Sequence, residues 1–194
     1  MELPANVPGH LFLSHMPGRY GQIDVDLKAI IDSGVEMVIC LVPRWEILEK
    51  APRYAETLDE GSQGWSLKEF PIRDMSVPEM ERRPELVELI REAASRLLAG
   101  EKLLIHCAGG IGRAGTLAVA VQLALGVPLD EAYRTTAVAG GRPESREQLD
   151  YLNELAIEFD QQPLTEEDLE PTIRETEIVS IIETIETPSG GSEE

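Results

Sequence analysis

The segment from Glu101 to Gly126, EKLLIHCAGGIGRAGTLAVAVQLALG, sets two apolar runs on either side of a glycine-rich loop. The first run reads as a buried strand and the second as a buried helix, so the chain must curl back sharply between Cys107 and Arg113. Gly109, Gly110 and Gly112 permit the positive φ values such a curl needs and keep side chains out of its interior. Backbone N–H groups can then converge on one centre, with the positive end of the following helix behind them. The loop Ala108, Gly109, Gly110, Ile111, Gly112 is therefore an anion cradle, which Arg113 can close by gripping two oxygens. A cysteine in that field, Cys107, is expected to be a thiolate poised for in-line attack on phosphorus.

The same stretch can be read another way. Gly110, Gly112 and Gly115 spell G-x-G-x-x-G, the dinucleotide-binding fingerprint, which also requires a second strand ending in an acid about 20 residues on. That distance falls in GVPLDEAY, where Asp130 belongs to a helix start. An ATP-binding loop would carry Lys before its Thr, whereas the chain has Ala114-Gly115-Thr116. A purely structural turn explains neither Cys107 nor Arg113. The cysteine reading prevails over a nicotinamide-dependent oxidoreductase.

Strand and helix patterns alternate along the chain. HLFLS, VEMVICLV, SLKEFPI and EKLLIHC read as strands. Helices are expected at DVDLKAIIDSG with Asp24 as N-cap, at RWEILEK, at PELVELIREAASRLLAG between its Pro and its Gly, and at AGTLAVAVQLALG. Two more follow: PLDEAYRTTAV and a helix opened by a Ser145–Gln148 capping box. Residues 51–65 read as a polar loop. The class is α/β, with a central, mostly parallel sheet flanked by helices. Residues 1–163 are expected to form one domain and 164–194 an acidic extension whose end, PSGGSEE, is disordered.

Charge narrows the partners. The net charge is −19, of which −9 falls in residues 164–194, and this argues against nucleic acid or an anionic membrane. No stretch approaches a membrane-spanning run, and the N-terminus lacks the basic region of a signal peptide. Two cysteines, Cys40 and Cys107, suit a reducing compartment, so the expected location is the cytoplasm. His10, His15 and His106 are scattered and form no metal-ligand spacing with them.

His106-Cys107-x5-Arg113 after a buried strand resembles the signature loop of the cysteine-dependent dual-specificity and tyrosine protein phosphatases. With GVEMVICLVPRWEIL and FPIRDMSVP before it, the chain looks most like the kinase-associated (cyclin-dependent kinase inhibitor 3-like) branch over about residues 10–160. The resemblance implies the dual-specificity phosphatase fold, a phosphocysteine intermediate, no metal or cofactor, and an aspartate acid on a separate loop. Asp74 fits that acid, because it follows a strand end and stands in the Asp-x-x-x-Pro context Asp74 to Pro78; Glu79 and Glu81 are fallbacks. The resemblance further implies that His106 orients the loop. Gln148 matches a glutamine that positions the hydrolytic water in some relatives, or it is only a capping residue. Cys40 matches a cysteine that traps the nucleophile as a disulfide in lipid phosphatases, or it is only a small buried side chain.

The departure from the pattern is Ala114. Family members carry Ser or Thr directly after the arginine, and that hydroxyl helps the sulfur leave when the phosphoenzyme hydrolyses. Thr116 is the nearest hydroxyl, but helical geometry turns it about 200° from position 114. The expected activity is hydrolysis of phosphotyrosine, phosphoserine or phosphothreonine in a phosphoprotein; the alternative is a phosphoprotein-binding module with slow or no turnover. No lysine lines the loop, which favours a phosphoprotein over a polyphosphorylated lipid. Arg44 and Trp45 either form part of the cleft wall or only open a surface helix, and Arg142 either contacts substrate or caps a helix. The segment 173–187, with Ile178, Ile181, Ile182 and Ile185 at helical spacing, is expected to dock on the domain or on a partner.

Overall fold

The computed structural model describes residues 1–61 and 64–164 of the chain. Strands β1 (His10–Ser14), β2 (Met37–Cys40), β3 (Ser66–Glu69) and β4 (Lys102–His106) form one all-parallel sheet in the order β1-β4-β2-β3. Around it lie helices α1 (Ile23–Asp32), α2 (Arg44–Lys50), α3 (Pro52–Glu60), α4 (Arg83–Leu98), α5 (Gly112–Ala124), α6 (Leu129–Val138) and α7 (Arg146–Glu158). The α/β class with a parallel sheet is the observed one. Extension 164–194, with its isoleucine stripe and segment 173–187, lies outside the described residues beyond Leu164.

Register decides where chemistry can gather. Both Ser14 and Cys40 pair with His106, so the carboxyl ends of β1, β4 and β2 stand side by side. Loops leaving those ends meet there, the usual position of a site in an open parallel sheet. β2 is buried along its whole length, which is why VEMVICLV reads as continuous apolar sequence rather than as an alternation.

Helix α5 is the core of the structure. Of its residues only Thr116 and Ala124 escape full burial, and it packs on α4, α6, α7, β1 and β4. An all-round apolar helix can only sit inside a domain. Its one amide, Gln122, is satisfied there: it donates to the Ala132 carbonyl (3.1 Å) and to Thr136 Oγ1 (2.8 Å) and accepts from Thr135 Oγ1 (2.7 Å).

Two expectations are corrected. Residues 52–60 are helix α3, not loop, and they bury Tyr54 and Ala55. Charged residues dilute the apolar stripe of PRYAETLDE to Tyr54, Ala55 and Leu58; Pro52 at the first helical position was the legible signal. The α1 N-cap position is Gln22, without a side-chain cap bond, and Asp24 lies in the first turn. The nearby carboxylate that does work is Asp26, whose Oδ2 accepts from Gly18 N at 2.8 Å. At α7, Ser145 Oγ caps Gln148 N (3.1 Å), but the Gln148 side chain accepts from Glu144 N (2.8 Å) rather than from the capping residue itself.

Gly115 lets α5 lie directly against the α6–α7 connection. A Cβ there would meet Arg142 N and would come within 2.7 Å of the Gly141 carbonyl carbon, both rigid main chain. Gly115→Ala should therefore destabilise the fold by about 1–3 kcal/mol by overpacking, against the roughly 1 kcal/mol that alanine normally adds inside a helix. Urea denaturation reads the sign directly.

Candidate active site

Strand β4 delivers His106 and Cys107 to the carboxyl edge of the sheet, and residues 108–111 curl into the start of α5. The main chain pins this loop on both sides: Met16 N donates to Ala108 O (3.2 Å), Leu41 N to His106 O (3.0 Å), and Arg142 N to Ile111 O (3.2 Å). Gly110 has φ +82°, and a Cβ there would stand 2.6 Å from the Ser14 carbonyl carbon, so only glycine fits between β4 and the end of β1. Gly110 N donates to Cys107 Sγ at 3.1 Å. Among the described residues, the N–H groups of Ala108, Gly109, Ile111 and Gly112 meet no protein acceptor. Four N–H groups at a helix start are thus left without a protein partner, an arrangement able to receive an anion.

Arg113 is buried. Its Nη1 donates to Glu46 Oε2 (2.8 Å) and to the Ile72 carbonyl (3.0 Å), and Nη2 donates to Glu46 Oε1 (3.2 Å). Nη2 also forms an ion pair with Asp74 Oδ1 at 3.0 Å, while buried Nε has no partner. Burial works against the guanidinium charge, but Glu46 and the neighbouring Cys107 and Asp74 outweigh it and hold the group protonated. Burial likewise disfavours the Glu46 carboxylate, yet the hydrogen bonds from Arg113 and Lys50 hold its pKa below the usual range. Asp74 sits in a turn ahead of Met75, whose φ is +61°, and its carboxylate is 62% exposed.

His106 is fully buried, and its Nε2 hydrogen-bonds the Tyr54 hydroxyl at 2.9 Å. Nδ1 lies near the Cys107 main chain without a hydrogen bond of normal geometry. Burial, reinforced by the charge of Arg113, lowers the His106 pKa to about 4, so the ring is neutral near pH 7. It braces the loop from beneath. Cys40, paired in register with His106, is also fully buried; burial pushes its thiol up to about 12, and both cysteines are free.

The structure thus brings Arg113 and Asp74 into contact beside the Cys107 loop and seats His106 below it. Gln148 is buried and ties the acid loop to α7, since its Nε2 donates to Ser76 O (3.3 Å) while its Oε1 holds Glu144 N. Thr116 donates its hydroxyl to Gly112 O (2.8 Å) inside its own helix, so its supporting role is helical and not toward the sulfur. Arg44 is corrected from cleft wall to structural link: it donates to Ala55 O (3.0 Å) and pairs with Asp59, joining α2 to α3. Trp45 is 62% exposed and lines a groove outside the acid loop. Asp130 lies in the first turn of α6, as the rejection of the dinucleotide reading requires.

Sequence reasoning missed Glu46 and Tyr54. Glu46 and Lys50 form a legible i,i+4 pair, but nothing local ties Glu46 to an arginine 67 positions away. Tyr54 was hidden with its helix.

A family model described as "PTP-SAK: Swiss Army Knife protein, DSP-PTPase phosphatase domain" matches residues 7–149. The chain belongs to this DSP-PTPase phosphatase family. Among solved structures, the active form of Tk-PTP is 30% identical, with a TM-score of 0.60 over 77% of this chain and 92% of that one. Kinase associated phosphatase (KAP) is 21% identical, with a TM-score of 0.65 over 77% of this chain and 87% of that one. PTPMT1 is 18% identical, with a TM-score of 0.57 over 78% and 92%. The last two likenesses are likenesses of fold. Among the described residues of this DSP-PTPase domain, no helix is long and apolar enough to cross a membrane.

Removing one partner of the buried pair should be costly. Glu46→Ala should lose up to about 3–5 kcal/mol in chemical denaturation by leaving the buried Arg113 with only the exposed Asp74 as counter-ion, and Glu46→Gln should lose less because it keeps an acceptor. The neutral His106 makes a second, pH-dependent contribution. An unfolded histidine titrates near 6.5 and this one at about 4, so the unfolded chain binds the extra proton between those values. Stability should be full above pH 6.5 and fall toward pH 4, by about 3 kcal/mol at most. His106→Asn should flatten that slope in denaturation curves taken from pH 7 to pH 4.5.

Proposed function

We propose that this chain is a protein phosphatase that hydrolyses phosphotyrosine, phosphoserine or phosphothreonine monoesters through a phosphocysteine intermediate, with residues 1–163 as the catalytic unit. The observation that carries the reading is the buried Arg113, which meets Asp74 at 3.0 Å beside the loop of Cys107 and still has a free Nε–H. Cys107 Sγ attacks phosphorus, and the ester P–O bond breaks as Asp74 passes a proton to the leaving oxygen. Loop N–H groups and Arg113 hold the non-bridging oxygens through the transition state. Water then attacks phosphorus, Asp74 takes its proton, the S–P bond breaks, and phosphate leaves with the thiolate restored.

Asp74 pairs with the clamp arginine, Arg113. An incoming phosphate dianion competes with Asp74 for the same guanidinium. The chemistry uses no metal or cofactor. The substrate is a phosphoprotein. Likeness to the kinase-associated branch rests on the loop together with GVEMVICLVPRWEIL and FPIRDMSVP; the mechanism needs only the broader family.

One observation favours a second reading. Ala114 is fully buried directly after Arg113, and its methyl gives the sulfur no hydrogen bond; the donor that Cys107 Sγ receives is Gly110 N–H. Without a hydroxyl there, the phosphoenzyme persists, and in the limit the protein captures phosphoproteins without turning them over.

Para-nitrophenyl phosphate decides between them. The phosphatase reading expects metal-independent turnover by the wild type, none by Cys107→Ser and a strong loss in Asp74→Asn. Phosphopeptide binding with no turnover supports the binding module. A hydrogen bond to a charged group contributes about 1.5–3 kcal/mol, so Ala114→Ser should raise steady-state turnover by about tenfold or more with little change in burst amplitude. An unchanged steady-state rate would remove Ala114 as the limiting feature.

A further inference from the structure

Among the described residues, every lysine and arginine is in an ion pair with a carboxylate except Arg19, Arg73, Arg91, Lys102 and Arg142. In a chain with 36 acidic and 17 basic residues, an unpaired cation is not short of partners. Two of the five have other work: Arg91 lies over the Phe159 ring, and Lys102 donates to Ser33 O at 3.0 Å. The other three surround the phosphate loop. Arg19 Nη1 lies 4.0 Å from the Cβ position of Gly109, and its guanidinium rests on the Tyr20 ring at 4.7 Å. Arg73 immediately precedes Asp74 on the acid loop, and the main chain of Arg142 holds Ile111.

Arg73 also lines a groove of about 320 Å³ on the outer side of the acid loop. Pro43, Trp45, Ile72, Val77 and Pro78 give it an apolar wall within a mostly polar lining; Glu79 is its one carboxylate, and Arg82 on its rim is already paired with Glu85. Trp45 is 62% exposed and Tyr20 66%, so an aromatic surface stands on each side of the loop next to an unpaired arginine. An exposed aromatic beside a free cation suits a peptide that carries both an apolar and an acidic side chain. A sugar polyphosphate would find no use for the apolar wall. A net charge of −19 opposes docking on an anionic membrane.

We propose that this site selects phosphopeptides with acidic residues on the flanks of the phosphorylated one, Arg19 and Arg73 meeting those carboxylates while Trp45 packs on an apolar neighbour. The inference rests on the reading of residues 107–113 as the phosphate site. Isolated cations in an acidic surface give selectivity as well as affinity, because the surrounding carboxylates repel every anionic ligand that does not align with the arginines.

The test uses the full chain and matched phosphotyrosyl peptides with acidic, neutral and basic flanks, alongside para-nitrophenyl phosphate and inositol hexakisphosphate. The wild type should favour the acidic over the neutral peptide by about five- to tenfold in kcat/KM, the scale of two exposed ion pairs. The gap should shrink at 0.5 M NaCl. Arg19→Glu/Arg73→Glu should invert the order in favour of the basic peptide, an outcome that misfolding cannot produce. Fluorescence polarisation on Cys107→Ser reads the same order as Kd, so the proposal is decided whether or not para-nitrophenyl phosphate is turned over. Equal preference among the three peptides, or tighter binding of inositol hexakisphosphate than of the acidic peptide, overturns it. Failure of para-nitrophenyl phosphate turnover with the peptide order intact counts against the phosphatase reading alone.

Discussion

The bidentate contact between Arg113 and Glu46 organises everything around the loop. Desolvating a guanidinium is expensive, and the cost is offset only when a carboxylate is delivered to it with good geometry. Glu46 comes from α2, Ile72 O from the segment after β3, and Asp74 from the turn beyond it, so one side chain gathers three parts of the chain. Lys50 stabilises Glu46 from the other side at 2.7 Å. With Nη1 and Nη2 held in place, the guanidinium plane is fixed and its Nε–H is left without a partner.

The cradle itself is built mainly from backbone. Residues 108–112 contribute N–H groups rather than side chains, and the surrounding main chain of Met16, Leu41 and Arg142 fixes their positions. Close packing explains why glycine recurs: at Gly110 and Gly115 a single methyl group would collide with main chain that cannot yield. The G-x-G-x-x-G spacing is a by-product of a tight turn at Gly110 and of close helix packing at Gly115. Ala114 sits fully buried in this arrangement, and Cys107 Sγ receives its hydrogen bond from a backbone donor, Gly110 N–H.

Electrostatics divide the molecule unequally. Most cations of the described residues are paired with a carboxylate, whereas Arg19, Arg73 and Arg142 beside the loop are not. Surface ion pairs contribute little to stability, so the pattern affects what the protein attracts more than how firmly it folds. Below the loop the logic reverses. His106 and Tyr54 satisfy one another at 2.9 Å, and burial keeps the histidine neutral, which avoids a second positive charge under Arg113.

Local chemistry made much of this legible in advance. Periodicity and punctuation located β1, β2, β4, α4, α5, α6 and α7 within a few residues, because apolar runs and Pro or Gly at their ends act over short distances. The spacing of Cys107 and Arg113 identified the loop, because strand, curl and helix are consecutive in the chain. Helix α3 escaped because its buried face amounts to little more than Tyr54, Ala55 and Leu58, too short a stripe to stand out among charges. Glu46, Tyr54 and the second task of Gln148 were decided only in three dimensions. Their partners lie 67, 52 and 72 positions away, and no local pattern encodes which buried carboxylate, hydroxyl or carbonyl a folded sheet will set opposite a given side chain.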